Sequence, residues 1–214
     1  MILPVDTHPR LALAAFHTTW PDAVAAIESL PWLAQLLALD APAPVQRREE
    51  LRTCIRDMLR LGGYKPTGRG KPASEYLLAA ASGGGLRTIN PAVDVANAVS
   101  LHSGFPVSVV DLDRLVMPMH VGIAGAGLHY VFNEAGQEID VEGLLCLHDA
   151  HGPCANAVKD AQRTKTTPTT TSTLSLVWGA EEVRLDLERA TTWYRELCTK
   201  LGAVTTTVAV ESRS

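Results

Sequence analysis

The stretch from Gly152 to Thr167, GPCANAVKDAQRTKTT, concentrates more reactive side chains than any other part of the chain. Lys159, Arg163 and Lys165 are cations that can neutralise phosphate or carboxylate oxygens. Asn156, Asp160, Thr164, Thr166 and Thr167 add donors and acceptors able to orient a ribose or a carboxylate. So many hydrogen-bonding groups argue against a core, and so particular a composition argues against a linker. The plainer alternative is a solvated Thr-rich loop, which the run 169–173 would be on its own.

A second basic region lies in Tyr64-Lys65-Pro-Thr-Gly-Arg69-Gly-Lys71, where Lys65, Arg69 and Lys71 are candidate contacts for RNA phosphate. Three cations in a loop also simply solubilise it. Its Gly-x-Gly lacks the strand-turn-helix context and the full glycine spacing of a phosphate fingerprint. Asn90, Asp94 and Asn97 form a polar row: Asn90 precedes a proline in the manner of a helix N-cap, and the other two lie three apart on one helical face. Asn90 and Asp94 have structural readings as cap and helix-dipole partner, whereas Asn97, within the helix, has neither.

Cys146-x-His148-x-x-His151-x-x-Cys154, with Asp149 between, holds enough soft ligands for zinc, but the spacing fits no common zinc module. The competing reading makes Cys146 a core residue and the histidines loop residues, so no metal and no cofactor are expected. No G-x-S-x-G elbow is present, and no nucleophilic triad can be read from the sequence.

These residues need a frame. The chain has 214 residues, 46% of them hydrophobic and 20% charged, which suits one large folded domain and excludes a largely disordered chain. With 19 Lys plus Arg against 23 Asp plus Glu, the net charge is -4, so any nucleic-acid contact must come from a local basic patch. Apolar runs such as 30–39 are too short to span a bilayer, and the start lacks a basic segment followed by an apolar one. Four cysteines without a C-x-x-C pair suit a reducing compartment, so a cytoplasmic protein is expected, with no membrane partner.

Periodicity predicts a strand at 11–16, a helix within 21–39, and a helix from Gln46 that ends at Gly62-Gly63. A further helix opens near Ser74, a candidate N-cap, and a capped one runs from Asn90-Pro91 to Gly104. Strands follow at 107–110, 116–123, 128–132, 138–141, 144–147 and 173–178. A helix with one apolar stripe covers 183–201, and the alternating 204–210 reads as a last strand, either an edge or an addition to the sheet. Together these predict an α+β fold, a single compact domain over 1–214 with a central mixed or antiparallel sheet flanked by helices.

The segment Leu86-Arg-Thr-Ile-Asn90-Pro-Ala-Val-Asp94-Val-Ala-Asn97 through Gly104-Phe-Pro106 to Asp111 resembles the B-three/B-four domain, the tRNA-binding and editing domain of the phenylalanyl-tRNA synthetase beta subunit. The Lys65–Leu78, Phe132–Asp149 and Gly152–Trp178 segments are similar to its free-standing members. The likeness covers about 46–180, leaving 1–45 and 180–214 as additions. It implies an α+β fold in which the Asn90-Asp94-Asn97 helix borders a pocket for an aminoacyl ester of tRNA, and it implies tRNA or aminoacyl-tRNA as partner, with a synthetase as a possible second. It also implies hydrolysis or recognition of a mischarged tRNA in trans, the alternative being a non-catalytic module for RNA or an amino-acid-like ligand. No catalytic residue is assigned. Ser108 stands where the synthetase domain carries a pocket histidine, and no acid lies near 176–178, where the synthetase places a tyrosine-recognising glutamate.

Overall fold

A computed structural model describes residues 1–28 and 30–213. Among these residues ten strands and five α-helices follow one another as β1 (Ile2–Asp6), β2 (Leu11–Thr19), α1 (Pro31–Leu36), α2 (Glu49–Arg60), α3 (Ala73–Ser82), α4 (Pro91–Ser103), β3 (Val107–Asp111), β4 (His120–Ile123), β5 (His129–Val131), β6 (Glu138–Asp140), β7 (Leu145–Asp149), β8 (Gly152–Asn156), β9 (Ser172–Ala180), α5 (Arg184–Lys200) and β10 (Val204–Arg213). Eight strands form one mixed sheet in the order β3-β9-β2-β10-β1-β4-β7-β8, and β5 and β6 make a separate hairpin. This is the α+β arrangement that the sequence predicts.

β10 resolves one expectation. Its first half pairs antiparallel with β2 and its second half parallel with β1, so it sits inside the sheet rather than at an edge. β1, which sequence reasoning missed, pairs in turn with β4. The terminal strands therefore join the two halves of the sheet, and the sheet curls until its outermost strands meet: the Ser108 hydroxyl on β3 lies 3.2 Å from the Asn156 carbonyl of β8.

Local signals explain the helices that position the site. Asn90 accepts the Val93 N–H at 3.1 Å, Pro91 occupies the first turn, and Gly104 closes α4 with φ +87°, a left-handed conformation that favours glycine. The apolar stripe of α5 buries Leu187, Ala190, Tyr194 and Leu197, with Tyr194 edge-on to Phe16 of β2 at 4.7 Å. At the end of α2 a side chain on either Gly62 or Gly143 would run into the other's backbone. That contact lets the α2 terminus dock on the turn before β7 and sets the path of the chain into Tyr64.

Other boundaries differ from expectation. Helix within 21–39 is confined to α1, and 116–123 shortens to β4. Ser74 is not an N-cap: α3 starts after Pro72 and Ser74 lies buried in its first turn. The largest miss is β8, inside a stretch read as polar loop. Pro153, Cys154, Ala155, Asn156, Ala157, Val158, Ala161 and Thr164 are all buried, so half of the Gly152–Thr167 stretch lies in the interior.

Candidate functional site

Asn156 ends β8 by folding its side chain back on the following turn. Its Oδ1 accepts the N–H groups of Val158 and Lys159 at 2.8 and 2.9 Å, and its Nδ2 donates to the Tyr130 hydroxyl. Tyr130 in turn donates to the Lys159 carbonyl at 2.5 Å. The turn thus held presents Lys159 and Asp160. Asp160 Oδ1 accepts the Ser108 hydroxyl at 2.7 Å and the Asn156 N–H at 3.1 Å, and Trp178 Nε1 donates to Ser108 at 2.9 Å. Burial pushes the Asp160 carboxyl up to about 6, against the opposing pull of Ser108, the Asn156 amide and the Lys165 ammonium. Lys165 itself donates to the Phe132 carbonyl at 2.5 Å, and burial lowers its pKa even though Asp160 and Glu134 favour its charge.

Beside this turn opens a cleft of about 680 Å³, lined by Tyr64, Arg69, Tyr76, Phe132, Lys159 and residues 137–140 of the hairpin, including Glu138 and Asp140. Lys159 Nζ lies 4.0 Å from the Phe132 ring centre and 5.8 Å from that of Tyr76, and Lys71 stands 4.6 Å over Tyr76. Desolvation, then the Arg69 charge, lowers the Lys159 pKa. Among the described residues neither Arg69 nor Lys159 forms an ion pair with a carboxylate, and the two cations share the opening with the unbridged carboxylates Glu138 and Asp140. An anion placed between the cations would relieve their repulsion.

The remaining sequence-predicted residues divide. Asn90 Nδ2 donates to Thr166 Oγ1 at 3.2 Å, so the capped helix and the threonine-rich stretch do meet, at a second cavity of about 510 Å³ that Asp94 and Thr167 also line. Asp94 is 1% exposed and accepts the Ile89 N–H at 2.8 Å; with Asn90 it closes the start of α4, and burial raises its pKa. Asn97 is half-buried, and its side chain bonds to none of the described residues. Thr164 is buried and donates to the Cys154 carbonyl at 3.2 Å. Lys65 is exposed at the start of the basic loop, outside the residues that line the cleft.

Arg163 is committed elsewhere. Its guanidinium grips the fully buried Asp149 side chain through two bonds of 2.7 Å and reaches the Gly152 carbonyl at 3.1 Å. Burial raises the Asp149 pKa, but that fork and the Val116 and His151 amides outweigh it and hold the carboxyl below the usual carboxylate range. Arg163 therefore clasps the β7–β8 hairpin, in place of the ligand grip expected from its sequence neighbourhood.

The Cys-His cluster is dispersed into packing. Cys146 Sγ accepts from Asn156 Nδ2, Cys154 donates to the Leu147 carbonyl, and burial raises both thiols, Cys154 to about 12. His148 stacks on His120 with ring centres 4.7 Å apart. Among the described residues no group of three His, Cys, Asp or Glu could hold a metal ion.

Sequence reasoning missed Tyr64, Tyr76, Tyr130 and Phe132. The available signal was their rarity: aromatics are 5% of the chain, and Tyr64 and Tyr76 flank the basic loop.

The curled mixed sheet, the capped α4 beside it and a cleft shared by two basic segments define an α+β domain with a ligand-sized opening. Residues 65–196 match the family model of the B3/4 domain, more than half of the chain, and the chain belongs to that family. Among solved structures it is similar to an N-terminal fragment of the phenylalanyl-tRNA synthetase beta-subunit from Pyrococcus horikoshii, with a TM-score of 0.56 and 11% identity over 99% of this chain and 52% of that one. At that identity the likeness is one of fold, and the chain spans about half the length of that structure. No curated protein matches the sequence. Among the described residues no helix is long and apolar enough to cross a membrane.

Proposed function

We propose that this domain binds the acceptor end of an aminoacylated tRNA and hydrolyses or recognises a wrongly attached amino acid in trans. The observation that carries this reading is the cleft in which Arg69 of one basic segment and Lys159 of the other share walls with Tyr64, Tyr76 and Phe132 and with the carboxylates Glu138 and Asp140. A charged tRNA ends in unstacked bases, phosphates and one ammonium group. Rings, cations and carboxylates are the complementary set. Membership of the B3/4 family and the fold shared with a synthetase beta-subunit fragment support the same substrate class.

For hydrolysis, we assign the base to Asp160, the residue that follows the cleft-lining Lys159. Its Oδ1 is occupied by Ser108 and the Asn156 amide, while Oδ2 accepts from no described residue and in this reading would hold the attacking water. Ionised Asp160 would take a proton from that water as its oxygen adds to the ester carbonyl, and the proton would pass to the departing ribose oxygen. Asn97 and Lys165 flank this reading as polar groups without an assigned step.

Incubating the purified chain with a panel of aminoacylated tRNAs tests it. Ester cleavage that falls by a factor of about 100 in Asp160→Asn, and binding that weakens in Lys159→Ala, are expected. Salt-dependent binding without cleavage of any charged tRNA would leave the second reading, a non-catalytic module. The mutual bonding of Ser108, Asp160 Oδ1, the Asn156 amide and Trp178, which occupies those groups without a ligand, favours that alternative.

A further inference from the structure

Between α2 and α3 lies a separate cavity of about 150 Å³, open to solvent on one side, floored by Leu51, Ile55, Pro72 and Leu78 and bounded by Gly104 at the end of α4. The charges at its rim mostly neutralise one another. Arg48 bonds Asp186 and Glu50, Arg52 bonds Glu49 and Glu75, and Glu75 also holds Arg56 through two bonds of 2.6 and 2.7 Å. Arg47 is different: its Nη1 donates to the Leu101 carbonyl at 2.8 Å, and no carboxylate of the described residues pairs with it. Ser74, 7% exposed, lines the same cavity, and its hydroxyl bonds to no described residue.

An apolar cavity of about this volume takes a body the size of a benzene ring. One unpaired guanidinium and one free hydroxyl match a single carboxylate, whose one charge Arg47 balances. We propose that this cavity binds a small monocarboxylate with a compact apolar body, the carboxylate on Arg47 and Ser74 and the body against Leu51, Ile55 and Leu78. The site is independent of the proposed action on tRNA.

Titration of the full chain with benzoate, followed by amide NMR shifts and calorimetry, tests the assignment. Saturable binding with shifts at Ser74 and Leu78 is expected, and the neutral isostere benzamide should bind about tenfold more weakly. Arg47→Ala, a change at an exposed residue, should bring benzoate down to the benzamide level, and Leu78→Phe, which fills the space, should abolish binding while thermal unfolding confirms the fold. Absence of saturation, equal binding of benzoate and benzamide, or undiminished binding by Arg47→Ala or by folded Leu78→Phe would overturn it.

Discussion

Asp149 and Asp160 stand at either end of the β8 hairpin and turn, both with enclosed carboxyls, yet their surroundings push them in opposite directions. Asp149 faces a bidentate guanidinium and two amides. Asp160 has a hydroxyl, one amide and a more distant ammonium. The first region spends its cation on its own fold, while the second leaves Lys159 and Arg69 facing an opening. A basic residue marks a ligand site only where no acid of the chain has already claimed it.

The sharpest way to break this comparison is to remove one cation from each region. Arg163→Ala strands a buried carboxylate and should destabilise the chain by about 3 kcal/mol, lowering Tm by roughly 10 °C in thermal unfolding. Lys159→Ala removes a cation with no acid partner and should cost less than about 1 kcal/mol. Equal losses would erase the distinction.

Titration separates the two carboxyls next. The depressed Asp149 contributes stability that is present above its unfolded value of about 3.9 and is lost as pH falls through the lower folded value. Asp160, raised to about 6, does the reverse: its contribution is full below about pH 3.9 and is lost as pH rises through 6. Asp160→Asn keeps an oxygen for Ser108 and the Asn156 amide. It should remove a fall in stability on the order of 2 kcal/mol between pH 4 and 6, seen as flattening of denaturant midpoints across that range. An unchanged slope would mean that the Asp160 carboxyl is not held up by burial. If Asp160 also activates water, ester cleavage should rise with pH through about 6 in the native chain.

Where chemistry is local, the sequence announces it. Asn90-Pro91 and Gly104 bracket α4, and the stripe from Leu187 to Leu197 marks α5, because caps and helical faces depend on residues a turn apart. β8 hides because Gly152-Pro-Cys-Ala-Asn156 lacks the branched and aromatic residues of a recognisable strand and is defined by burial among neighbours distant in sequence. β10 looks like an edge because its alternating threonines and valines leave much of it exposed, yet β1 and β2 occupy its two flanks. Pairings decide the site in the same way. Nothing near Arg163 in sequence tells that Asp149 will claim it, and nothing near Lys159 tells that Phe132, Tyr76 and Arg69 will be its company.

The smallest effect is also the most direct test of the cleft: the salt dependence of binding to a charged tRNA, compared among the native chain, Lys159→Ala and Arg69→Ala. Each variant should lose about 0.7 to 1 from the slope of log affinity against log salt, the share of one neutralised phosphate. Native slopes in both variants, with affinity intact, would place the nucleic acid elsewhere and contradict the account.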